Sequence, residues 1–174
     1  MKTIYTFLAL LFIATVSCNS TPKMTALEYN DAIINEQTKI VEVILKFNSN
    51  DGTDMEAFDE VRKEIIVQCD SSIAKVKALS DFDGNTEFRD AGIELFGFYK
   101  KISSKEYREM LDILEKGDYT EEDLEELTAI QKSIEREEAT QDARFQSAQK
   151  AFARDNNISI GNNALQQQID ALGE

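Results

Sequence analysis

TEEDLEELTAIQKSIEREEATQDARFQSAQKAFAR, residues 120–154, decides the fold. Leu124, Leu127, Ile130, Ile134, Phe145, Ala148 and Phe152 recur at three- and four-residue steps and their multiples, which is the period of an amphipathic helix with one apolar stripe. Neither Pro nor Gly interrupts it. Thr120 and Asp123 offer a loose capping box at its start, and Gly117 just upstream suits the end of a preceding helix.

Working back along the chain, the same period predicts three more helices. One covers 86–116 and displays Phe88, Leu95, Phe98, Tyr99, Ile102, Leu111 and Leu114; Ser103-Ser104 is its weakest point, because two hydroxyls compete for backbone hydrogen bonds. Another covers 53–79, opened by a Thr53/Glu56 capping box and burying Phe58, Val61, Ile65, Cys69, Ile73 and Val76. The first covers 25–48, with Tyr29, Ile33, Ile34, Ile40, Val41, Ile44 and Phe47 on or beside one stripe. Turn clusters at 48–52 and 80–85 separate them. Short connections between long helices force antiparallel neighbours, so the expected class is all-α, an up-down-up-down four-helix bundle over 25–155. Residues 156–174 read as a partly ordered tail lying back along it.

Upstream, MKTIYTFLALLFIATVSCNS has one charge (Lys2), an apolar run from Ile4 to Val16, and then small residues and Cys18. Those are the parts of a secretory signal over 1–17, and the run is too short to span a bilayer, which takes about 20 residues. Thr15-Val16-Ser17-Cys18 resembles a bacterial lipobox with Thr15 where Leu is usual; ordinary signal cleavage is the alternative. On the lipobox reading Cys18 carries the lipid and 18–24 form a tether. Cys69 is then left as one thiol, read as a small apolar core residue. Loss of Lys2 with the signal takes the net charge from −14 to −15, a surface that nucleic acid and anionic membranes repel.

Chemistry is sparsely signalled. The chain contains no His, the commonest general base and metal ligand, and no glycine-rich phosphate loop. Asp81, Asp83 and Asn85 begin like an EF-hand, but Thr86 and Gly92 stand where Gly and a bidentate Glu are required, so these residues read as turns and caps. No enzyme activity, cofactor or metal site is expected. More telling are polar residues on apolar stripes: Asn30 and Gln37 in the first helix, Glu138 and Gln141 in the last. First and last helices of such a bundle are neighbours, so the four are expected to meet either in a buried hydrogen-bonded layer or as the polar lining of a ligand cleft.

TALEYNDAIINEQTKIVEVI (25–44), FRDAGIELFGFYKKI (88–102) and AQKAFARDNNISI (148–160) together resemble uncharacterised all-helical lipoproteins of bacterial envelopes, of the YiiG-like kind. The resemblance implies a fold and an address, an outer-membrane lipid anchor, without a reaction. The expected role is a non-enzymatic protein-interaction module tethered through Cys18, with an unidentified envelope protein as partner; the alternative is a carrier of a small molecule or peptide in a cleft between helices.

Overall fold

A computed structural model describes residues 23–48 and 54–160, of which 81% are helical with no strand among them. Five helical segments follow in order: α1 Ala26–Asn48, α2 Met55–Lys77, α3 Glu87–Ser104, α4 Glu106–Leu114 and α5 Glu121–Asp155.

Side chains that bond the free amides left at helix starts set the limits of α1, α2 and α5. At the start of α1, the Glu28 carboxylate accepts from the Thr25 N–H at 2.8 Å and the Glu28 N–H donates to Thr25 Oγ1 at 3.2 Å. The cap of α2 is Asp54, whose carboxylate accepts from the Ala57 N–H at 3.0 Å. That is one residue beyond the predicted Thr53, which lies outside the described residues. Before α5 the Thr120/Asp123 box forms with both reciprocal bonds. Gly117 takes φ +76°, the left-handed conformation that glycine adopts without penalty. At the far end of α5, Asn157 is also left-handed, the Ile158 N–H reaches the Ala153 carbonyl at 3.0 Å, and Ile158 packs back on the core.

The helix predicted over 86–116 is broken at Lys105 (φ −119°, ψ −75°). The break falls beside the serine pair: Ser104 Oγ donates to the Lys100 carbonyl at 2.7 Å, while the Ser103 carbonyl accepts from Arg62 at 2.9 Å. Side-chain bonding of this kind draws a carbonyl away from its helical partner.

Residue pairs show the direction of packing. Tyr29 meets Ser80, Glu36 meets Ser72 and Phe47 meets Phe58, so α1 and α2 are antiparallel. Asp70 with Lys100 and Arg62 with Ser103 do the same for α2 and α3; Phe88 with Phe152 and Lys101 with Glu137 do so for α3 and α5. α3 is the centre: Phe88, Leu95, Phe96, Phe98, Tyr99 and Ile102 are all buried. At Gly92 it has no side chain, and a Cβ there would lie 3.2 Å from Ile33 of α1 and 3.5 Å from Phe145 of α5. Aromatic rings close both ends of the core. Tyr29, Phe82 and Phe152 pack at 5.2–5.4 Å at one end; at the other, Phe47 lies 4.0 Å from Phe58 and 4.6 Å from Tyr107.

α5 is longer than its neighbours. At 1.5 Å per residue it runs about 24 Å beyond Glu137, whereas α2 runs about 10 Å beyond Arg62 at the same level. The start of α5 therefore projects with α4 as a hairpin. Leu124, predicted on the buried stripe, is 52% exposed; among the described helices, α4 is the one that accompanies the projecting segment.

Candidate functional site

The antiparallel register decides which polar residues of the apolar stripes meet. Asn30 is buried, and its side-chain carbonyl accepts from Gln149 Nε2 of α5 at 3.0 Å while its amide donates to Asp31 at 3.1 Å. Its partner thus lies eight residues beyond Gln141. Gln37, two turns further along α1, is 2% exposed, and its Oε1 has no hydrogen-bond partner. Gln141 is only partly buried.

Glu138 is also partly buried, on the side of α5 that faces Tyr99 and Tyr107. Burial holds its carboxyl above the ordinary range, and the neighbouring charges of Asp142 and Glu135 add to this. In return, burial first and then the charge of Glu138 raise the Tyr107 phenol to about 12; burial, Glu138 and Asp142 raise Tyr99 as well. Cys69 lies close enough to add to the Tyr99 shift. Its own thiol is fully buried and pushed up to about 12, chiefly by burial, so it stays protonated and unreactive at neutral pH.

Two polar clusters carry no signal in the apolar period. Glu36, 7% exposed, accepts from Ser72 at 3.0 Å and Lys75 at 3.3 Å on α2, and pairs with Lys39 on its own helix. Burial alone raises its pKa, but these three hydrogen bonds outweigh it and hold the carboxyl below the ordinary range. At the α3/α4 break, Arg62 pairs with Asp59 at 2.6 Å, and Arg108 of α4 approaches the same carboxylate at 3.4 Å. The Arg62 hydrogen bond, against a smaller opposing effect of burial, brings Asp59 to about 2. Beside this clasp, Ser103 Oγ and Glu106 Oε2 are buried without partners. A charge at position 36 or 62 reads from sequence as solvated; only the facing helix shows it to be covered.

Two concavities among the described residues are open grooves. One of about 560 Å³ runs between α3 and α5, lined by Asp90, Glu94, Arg144, Ser147 and Ala151, with Arg144 paired to Glu94 across it. Another, of about 400 Å³, lies along the outer face of α5 beside Leu124, Thr128 and Ala129. In the Asp81–Asn85 turn Asp81 accepts from the Gly84 N–H at 2.7 Å and Asn85 from the Glu87 N–H at 2.8 Å, while Asp83 pairs with Lys23. Among the described residues no three His, Cys, Asp or Glu side chains are grouped to hold a metal, and no helix is long and apolar enough to cross a membrane.

Tyr119 and Leu124, 45% and 52% exposed, lie just before and within the first turn of α5, in a stretch that holds Glu121, Glu122, Glu125 and Glu126. Of the four polar residues expected to meet, Asn30 is bonded to Gln149 instead, Gln37 Oε1 is buried without a partner, and Glu138 and Gln141 are only partly buried. No protein-family model matches the chain, and no curated protein or solved structure matches it.

Proposed function

We propose that this chain is a bacterial envelope lipoprotein whose helical bundle, preceded by a cleaved signal peptide and held to the outer membrane through Cys18, serves as a non-enzymatic protein-interaction module. One observation carries the reading: the apolar run Ile4–Val16 behind Lys2 leads directly into Thr15-Val16-Ser17-Cys18 and a short polar stretch. The exposed Tyr119 and Leu124 support a role in association, since large apolar groups at a projecting end are natural contact points for a partner. Lipid on Cys18 would supply the membrane attachment that the acidic surface does not.

Cys18→Ser is expected to abolish metabolic palmitate labelling and to move the protein from the membrane fraction to the soluble one. A variant that still labels and still sediments with membranes would overturn the anchor. The association role is checked by crosslinking the anchored protein in whole cells and identifying by mass spectrometry what comes with it. A reproducible partner lost with Leu124→Asp supports the role. Recovery of the monomer alone favours the carrier reading instead, for which the unpartnered Gln37 Oε1 is the observation in hand.

A further inference from the structure

We infer that the bundle stands end-on at the membrane, with the Ser80–Thr86 turn and the end of α5 toward the lipid and the α4–α5 hairpin displayed outward. The inference rests on the lipid anchor proposed above and adds the orientation that the fold imposes on it.

The first argument is where the tether leaves the bundle. Thr25 and Glu28 hold the start of α1 in place, and Tyr29 locks that start between Phe82 of the turn and Phe152 near the end of α5. Lys23 lies against the same turn, paired with Asp83 and 5.8 Å from the centre of the Phe82 ring. Cys18 lies five steps before Lys23, with four residues between them, so the acylated residue lies within about 18 Å of this end even if that chain is fully stretched. The opposite end is much further away, since α5 alone is about 52 Å long. A tether that short brings the hairpin down to the surface only if the whole bundle lies on its side.

Charge opposes that tilt. The projecting end, residues 115–126, holds seven acids and one base, Lys116. The tethered end holds five bases (Lys23, Lys77, Arg89, Lys150 and Arg154) against seven acids across 23–31, 77–90 and 150–155. Three of those bases are already paired with neighbouring carboxylates: Lys23 with Asp83, Arg89 with Asp90 and Arg154 with Asp155. Anionic headgroups therefore repel the hairpin far more than the tethered end, and the repulsion acts within about 10 Å of the surface at ordinary salt. Length and charge together place Tyr119 and Leu124 where a partner anchored elsewhere, or free in the surrounding space, reaches them.

The test uses the full acylated protein, isolated from membranes and reconstituted into phosphatidylethanolamine/phosphatidylglycerol vesicles that carry an energy-transfer acceptor on their headgroups. A donor dye goes on Lys77→Cys at one end or Asp118→Cys at the other; buried Cys69 does not compete for the label. Transfer from position 77 is expected to exceed that from 118 at least about threefold, given the length of α5 between them. Replacing Glu121, Glu122, Glu125 and Glu126 together with Lys should pull the ratio toward one on these vesicles, and added salt should restore it. Equal transfer from both positions in the unaltered protein means that the bundle lies flat and overturns the orientation while leaving the anchor standing. Protein that carries no acyl chain and does not stay with the vesicles overturns the anchor, and the orientation falls with it.

Discussion

At the scale of single residues, two glycines of α3 make a controlled comparison. Gly97 has open space where a Cβ would go, so Gly97→Ala is expected to stabilise the protein by about 0.5–1 kcal/mol through helix propensity alone. A Cβ at Gly92 would lie 3.2 Å from Ile33, and Gly92→Val should cost about 1–3 kcal/mol, because a branched side chain there pushes α1 and α5 away from α3. Urea denaturation of the two variants measures both effects. Glu138 gives a pH-dependent prediction. Its carboxyl is held above the ordinary value by burial and by Asp142 and Glu135, so the folded state keeps the proton longer than the unfolded chain does. Stability from this residue is therefore lost as pH rises from the unfolded carboxyl range through the raised folded value, and the charged form is tolerated at a cost at neutral pH. Glu138→Gln is expected to raise Tm by about 2–4 °C at pH 7 and by much less at pH 4, read by calorimetry at both pH values. The apolar stripe placed Glu138 inward, but it was silent about the two tyrosines opposite, which belong to a distant part of the chain.

Among the elements, the limits of the helices show how far local chemistry reaches. Thr120 and Asp123 are three residues apart in sequence and bond exactly as that spacing allows, because a capping box is made within one turn. Thr120→Ala is expected to cost about 1 kcal/mol and to fray the first turn of α5, seen as lower Tm and faster amide exchange at residues 121–124. The break at Lys105 was legible as a weak point at Ser103-Ser104, since side-chain competition for carbonyls is also local. The cap of α2 was misplaced by one residue: Thr53 and Asp54 are both good cap residues, and Asp54 bonds the amide of Ala57. Leu124 was misread for a different reason. Its spacing is that of a core residue, yet burial requires a neighbouring helix at that height, and among the described helices only α4 extends so far.

For the molecule as a whole, stability should be uneven along its length. The core sits where α1, α2, α3 and α5 overlap, whereas the first turns of α5 are largely exposed. Native-state amide exchange is expected to show α3 exchanging only with global unfolding, and residues 121–130 opening at least about tenfold more often. Uniform protection along α5 would contradict this. The helical class and the approximate extent of each helical stretch, the break at Lys105 apart, were written in the sequence, because a 3.6-residue apolar period and its caps depend on residues a few places apart. So was the Lys2-to-Cys18 pattern on which the anchor proposal rests. Only the tertiary structure decided that Asn30 bonds Gln149, that Gln37 Oε1 is left without a partner, that Glu36 and Arg62 are covered, and that the hairpin projects away from the end where Lys23 enters. Each of these depends on which residues face one another across antiparallel helices, and that register is a property of packed volumes, with no counterpart in local spacing.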